Sequence, residues 1–277
     1  MMRDFYFLKP KYSCITQGSI ITGCVANGFE SCKVWGCIIT ARCDIEQRKV
    51  DRIHYLPIVS LDDWLQSILV KRLREAWCNA LKSSLKNQLK NNSISVDFLD
   101  RGLSRYDFEQ LIRSTFKSKE AEGFLSDYDK WLSSNNVSVT DILSTKLGMG
   151  LLKHEIDKVI AHESSSDYLM EGWDSDDFSD YKVLLLREIK TISKSCAYEL
   201  ADGIIESDLQ ESFFNENELA KTNDQSGFYY VDCEIQSPYI EHIIQRFTTN
   251  FSRIGVIDLP KSTVSQQLID YSKTLLL

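Results

Sequence analysis

Three groupings of residue types along this 277-residue chain could do chemistry. In Thr40-Ala41-Arg42-Cys43-Asp44 an apolar run breaks off and a carboxylate follows directly on a thiol. An aspartate there can accept hydrogen bonds from turn amides or pair with Arg42, Arg48 or Lys49, so Arg42, Cys43 and Asp44 read as a structural motif. Glu188-Ile189-Lys190 has the E-x-K spacing that, on one strand, turns a Glu and a Lys toward the same metal and scissile phosphate of a metal-dependent nuclease. Asp176, Asp177 and Asp180 stand upstream of it. Cys32, Cys37, Cys43 and His54 supply zinc-ligating atoms but lack the paired knuckles of structural zinc sites. The eight cysteines include no CxxC, and reduced, mostly buried thiols are the better reading. His54 lies in an apolar strand, as core histidines do. There is no P-loop, GxGxxG, HExxH or GxSxG, so the sequence assigns no catalytic residue, no metal and no cofactor.

The elements that must position these residues change character at Ser60. Before it, Ser13–Thr22, Cys32–Thr40 and Ile53–Val59 are short, β-branched runs divided by tight turns, and they predict a small β-barrel over residues 1–60. Gly18, Gly23, Gly28 and Gly36 fit its corners. After it, Ser60-Leu61-Asp62-Asp63 resembles a capping box, and Leu61, Trp64, Leu65, Ile68, Leu69, Leu73, Ala76, Trp77, Ala80, Leu81, Leu85 and Leu89 recur at helical spacing. This predicts a helix of about 30 residues. Its outer side carries Lys71, Arg72, Arg74, Lys82, Lys86 and Lys90, a solvated face by default and a candidate nucleic-acid face by charge.

Further helices are expected from Ser104, over Lys119–Leu132, and over Val139–Ala161 with interruptions at Gly148 and Gly150. His162–Asp180 holds seven acids and no Lys or Arg, and Glu206–Asp224 is a second acidic stretch; both read as loops, the first with Trp173 as an anchor. Tyr181–Lys190 reads as a strand passing into helix, and Phe228–Ile235 alternates as a strand. A helix follows, with Ser237 as cap, Pro238 at its first position and Gly255 at its end. Its stripe is Ile240, Ile243, Ile244, Phe247, Phe251 and Ile254, with Glu241, His242, Gln245 and Arg246 on the other side. The fold class is therefore α+β: a β-barrel at 1–60, then a mainly helical domain at 61–277 with acidic loops at 162–180 and 206–224, whose C-terminal strand and helix pack back on the barrel.

Net charge is −8, divided unevenly: the first sixty residues hold 8 Lys/Arg against 5 Asp/Glu, the remainder 24 against 35. An acidic body argues against wholesale coating of nucleic acid while leaving a local basic face open. No run approaches the roughly 18 apolar residues of a membrane helix, and the start lacks a secretory apolar core, so a cytoplasmic protein that contacts no membrane is expected.

The glycine-led strand GSIITG, an apolar strand ending in a Cys-Asp pair, and IHYLPIV together resemble the SH3-like barrels of the PemK/MazF type and of larger prokaryotic proteins built on them. The closing segment SPYIEHIIQRFTTNFSRIG is similar to the end of those larger proteins. The resemblance covers roughly the first 60 and last 30 residues. It implies an SH3-like barrel and a prokaryotic conflict-system protein: either an RNA-cutting toxin, with Arg42 and Thr40 at the matching places, or a non-catalytic subunit of a multi-protein complex. Among such complexes, the middle component that accompanies an SMC-like ATPase and an effector nuclease, as in Lamassu-type systems, is the nearest in size and architecture.

The acidic helical body outweighs the toxin reading. The expected function is thus binding and assembly within a bacterial anti-phage or anti-plasmid complex, with other subunits as partners and DNA reached through them. Trp64, Trp77 and Phe247 are the candidate partner contacts, each with a competing core reading.

Overall fold

A computed structural model describes residues 7–8, 14–99, 104–171, 181–221 and 227–251. Strands β1 (Phe7–Leu8), β2 (Ser19–Ile21) and β3 (Trp35–Ile38) lead to a short helix, α1 (Arg42–Glu46), and to the long strand β4 (Arg52–Ser60). Ser60 then caps a helix as its sequence predicts, its hydroxyl accepting the Asp63 N–H at 3.0 Å. That helix runs as α2 (Leu61–Trp64), a π-helical turn (Leu65–Leu69) and α3 (Val70–Asn91). Helices α4 (Arg105–Thr115), α5 (Ser118–Leu132), α6 (Val139–Leu143) and α7 (Lys146–Ile160) follow, then β5 (Asp167–Met170), β6 (Lys182–Leu185), β7 (Lys190–Ser193), α8 (Lys194–Asp202), β8 (Ile204–Ile205), α9 (Glu211–Asn217), β9 (Phe228–Tyr229), β10 (Val231–Ile235) and α10 (Tyr239–Phe251).

Eight strands form one curled antiparallel sheet in the order β1-β10-β2-β3-β4-β6-β5, with β7 also on β4; β8 and β9 pair apart from it. β4 makes this possible by its length. Its end, Ile58–Ser60, pairs with β6, and its start, Arg52–Tyr55, pairs with β7. The fold is thus mixed α and β with a half-barrel sheet. Residue 60 marks a change of element type, whereas the sheet continues past it and recruits β5, β6, β7 and β10. The outward N–H groups of β7 are closed by side chains: Thr191 N–H donates to Glu218 Oε2 at 2.6 Å and Ser193 N–H to Asn217 Oδ1 at 2.8 Å.

Both faces of the sheet are covered, and strand alternation sorts the side chains. On β4, Ile53, Tyr55 and Val59 face one core with Trp64, Leu69, Leu73, Val159 and Leu200 of the helices. Leu56 and Ile58 face the other, against Ile240 and Ile243 of α10. β10 changes face midway, Val231 joining the first core and Cys233 and Ile235 the second, because its register against β2 slips between Val231 and Cys233. His54 shares the parity of Leu56 but lies beyond the cover of α10 and is exposed, so it is no core histidine.

The buried residues of the long helix, Leu69, Leu73, Trp77, Leu81, Leu85 and Leu89, recur every fourth position. Each step of four overshoots a helical turn by about 40°, so the stripe winds around the helix. Leu69 and Leu73 accordingly enter the sheet core, Trp77 and Leu81 meet Ile142, and Leu85 and Leu89 enter a helical core with Phe108, Ile112 and Phe124. The π-helical turn spans the five-residue step from Trp64 to Leu69.

Several expectations are corrected. Gly18, Gly23 and Gly28 have φ of 95°, 72° and 81°, as corners require, but Gly36 lies within β3, where a Cβ would stand 2.7 Å from the Tyr55 ring and 2.6 Å from Cys24 Sγ. α7 runs through Gly148 and Gly150; the break falls at Ser144–Thr145, where the Thr145 hydroxyl caps the new helix. Tyr181–Lys190 holds β6 and a turn, with helix only after β7. The acidic stretch at 162–180 contains β5, and that at 206–224 contains α9 and a 3-10 turn at Glu206–Asp208. α10 begins at Tyr239, after a cis Ser237–Pro238 bond, so Pro238 precedes the first helical position. Trp173, Asp176, Asp177, Asp180, Ile254 and Gly255 lie outside the described residues.

Candidate functional site

The Arg42-Cys43-Asp44 motif opens α1, which joins β3 to β4. Ile45 buries itself in the sheet core, its carbonyl accepts the Tyr198 hydroxyl at 2.9 Å, and the Arg48 guanidinium lies 4.8 Å from the Tyr198 ring centre. The Cys43 thiol stands 3.6 Å from Asp44 Oδ1, and Arg42 and Cys43 are exposed. Thr40 is tied into the β3–β4 hairpin, its hydroxyl accepting the His54 N–H at 2.8 Å.

The E-x-K residues do not share a strand. Glu188 lies in the turn after β6, where its Oε1 accepts the Asn27 N–H at 2.8 Å, and Lys190 opens β7 and donates to Asn27 Oδ1 at 3.0 Å. Lys190 Nζ also lies 3.5 Å from Glu188 and 3.7 Å from Glu218. Together they pin the loop at Asn27. The zinc candidates stay apart: Cys37 is buried in the second core, Cys43 and His54 are exposed, and the Cys32 thiol donates to Asp63 Oδ1 at 3.3 Å. Among the described residues no three His, Cys, Asp or Glu side chains gather as a metal site.

Arg72, predicted for the basic face, turns inward instead. Its guanidinium reaches both oxygens of Asp167, at 2.5 and 3.1 Å. Asp167 is 1% exposed and also accepts from Trp64 Nε1 at 3.0 Å and from the Ser164 and Ser166 hydroxyls, each at 2.8 Å. Burial pushes this carboxyl up, but the Arg72 hydrogen bond and charge, with Trp64 and Ser164, outweigh it and hold the pKa below the usual aspartate range. Trp64 and Trp77, proposed as partner contacts, are core side chains at 0% and 4% exposure; Phe247 is half-buried against the second core. Across β5 from Asp167, His162 stacks on Tyr168 at 4.0 Å between ring centres, and the Tyr168 hydroxyl lies 2.9 Å from His242 Nδ1. His242 and Arg246, read as the outer side of α10, therefore face the 162–168 segment.

What the long helix leaves open is a groove of about 500 Å³ beside the π-helical turn. Gln66 and Ser67 of that turn, Lys71, Arg74 and Asn79 line it, and Ser134, donating to Cys78 Sγ at 3.3 Å, lies at its edge. Lys71 and Arg74 make no ion pair among the described residues, and Glu75 beside them is likewise open. π-helical turns inside α-helices recur at functional sites, and this one sits next to two cations that make no ion pair among the described residues. Of the remaining basic row, Lys82 lies 5.5 Å from the Trp131 ring centre, Lys86 is half-buried and Lys90 is exposed. The six cations thus divide: Arg72 anchors the buried Asp167, Lys82 meets an aromatic ring, Lys71 and Arg74 line the groove, and Lys86 and Lys90 lie farther along the helix. Sequence reasoning missed the groove because its defining feature is a local change of helical pitch.

No family model, curated protein or solved structure matches the chain.

Proposed function

We propose that this protein is a non-catalytic assembly subunit that docks a partner in the groove of its long helix. The observation that carries the reading is the open pair Lys71 and Arg74 beside the π-helical turn. The reaction-like groups elsewhere have internal work: Thr40 holds a hairpin, and Glu188 and Lys190 pin a loop. Read with the resemblance of the N- and C-terminal segments, the curled sheet stands for an SH3-like barrel. The complex is then a bacterial anti-phage or anti-plasmid assembly of the Lamassu kind, working in the cytoplasm with an SMC-like ATPase and an effector nuclease, DNA being reached through those subunits. Among the described residues no helix is long and apolar enough to cross a membrane.

The test is co-purification from the native operon with a Lys71→Glu/Arg74→Glu variant beside the wild type. The ATPase or nuclease should accompany the wild type and be lost from the variant while the fold persists. A parallel incubation with RNA or DNA and Mg²⁺ should give no cleavage that depends on Arg42 or Glu188. A wild-type chain that purifies alone, or cleavage abolished by Arg42→Ala or Glu188→Ala, overturns the reading.

A further inference from the structure

Three arginines from three elements converge on the turn before β5. Arg72 of α3 reaches Asp167 and the Ser166 hydroxyl, Arg187 of the β6–β7 turn donates to Ser165 Oγ at 2.7 Å, and Arg246 of α10 donates to the Ser164 carbonyl at 3.0 Å. Among the described residues only Arg72 meets a carboxylate there. Of the two acids in this turn, Asp167 is closed off by Arg72, and Glu163 is exposed and pairs with neither of the other two arginines. Arg187 and Arg246 therefore hold full positive charges against neutral oxygens.

A second observation lies on α10. Arg246 Nε is buried and has no hydrogen-bond partner, and one turn along the same flank Asn250 Nδ2 is buried and equally without one. Unmatched donors are expensive in folded proteins because they have lost water and gained nothing in return. Arg246 reaches Ser164 from this flank, and both donors lack an acceptor.

We infer that Arg187 and Arg246 form an oxyanion site over the Ser164–Ser165 turn, and that its ligand is a phosphoryl group. A guanidinium fork matches phosphate oxygens two at a time, and a tetrahedral anion can accept from forks arriving from two directions, with the Ser165 hydroxyl as a further donor. A planar carboxylate offers two coplanar oxygens and fits one fork. The site is separate from the groove on the long helix and does not depend on the function proposed for it.

Calorimetric titration of the full chain with inorganic phosphate, and separately with adenosine 5′-monophosphate, tests this at fixed ionic strength. Saturable binding to one site is expected, weakened about tenfold by Arg187→Gln and again by Arg246→Gln, as loss of a charge-assisted pair requires. Lys153→Gln, on the exposed side of α7, should leave it unchanged. Tighter binding of the nucleotide identifies the phosphoryl carrier as a nucleotide, and equal binding identifies free phosphate; both support the site. Arg187 is exposed, so its variant keeps the fold, and circular dichroism verifies this. Failure of both ligands to saturate, affinity indifferent to Arg187→Gln, or acetate binding as tightly as phosphate would overturn the inference.

Discussion

Arg72 and Asp167 meet at 2.5 Å although 95 positions separate them in the chain. The pair fastens the start of the long helix to the edge strand of the sheet, with the Trp64 indole as a third member. Removing Arg72 strands the buried charge of Asp167, so Arg72→Ala should cost about 3–5 kcal/mol. Arg74→Ala, two positions on and exposed, should stay within about 0.5 kcal/mol. Urea unfolding followed by circular dichroism checks both, and equal midpoints for the two variants would refute the assignment.

The same carboxylate sets an acid limit. Because its folded pKa lies below that of an unfolded aspartate, Asp167 contributes stability that is fully present above about pH 4 and is lost as pH falls through the folded value. Thermal melts of the wild type should therefore show a steeper loss below about pH 4 than melts of Asp167→Asn, which starts lower and has less to lose. Parallel curves for the two proteins would mean that another group carries the acid sensitivity.

Two glycines in α7 should respond with opposite sign. At Gly150 a Cβ meets nothing within 4 Å, so Gly150→Ala gains helix propensity and should stabilise by up to about 1 kcal/mol. At Gly148 it would stand 2.0 Å from the Ile142 carbonyl oxygen, so Gly148→Ala must push α6 and α7 apart and should destabilise despite the same gain in propensity. Denaturation midpoints of the two variants decide it; a stabilised Gly148→Ala protein would be the contrary result.

Thiol reactivity should follow burial. Cys37 and Cys196 are pushed up to about 12 by desolvation, and Cys24 is raised by the same cause, so each stays protonated and shielded. Cys14 and Cys43 are exposed. Brief alkylation of the native protein at about pH 8, read by peptide mass spectrometry, should label Cys14 and Cys43 and spare the other three. Early labelling of Cys37 would contradict the packing described.

The long helix was legible in the sequence because its evidence is local: a serine cap, acids in the first turn and apolar residues every three to four positions. The four-residue spacing also contained the winding of the stripe, but which core each pair enters depends on partners such as Ile142 and Phe108 that spacing does not reveal. β5 was illegible for the reverse reason. A stretch with seven acids predicts a solvated loop, and Asp167, buried among the described residues, is kept there by an arginine in a different element. The basic row misled in the same way, since the sequence says where Arg72 starts and the fold decides where its guanidinium ends. Glu188 and Lys190 had the spacing of a nuclease motif but fall on either side of a strand boundary, which a short apolar run cannot locate. Within the groove, Lys71 and Arg74 were visible as charges, and the π-helical turn beside them was not.

β10 sits between β1 and β2, and α10 supplies the helical cover of one face of the sheet. A nascent chain leaving the ribosome therefore carries β2, β3 and β4 with one flank unpaired and Leu56 and Ile58 uncovered until Val231–Ile243 has been made. Synthesis is vectorial and this closure is not, so the pairing of β2 and the cover of Leu56 and Ile58 wait until β10 and α10 have been made, and a stall in translation anywhere between would leave an adhesive surface exposed.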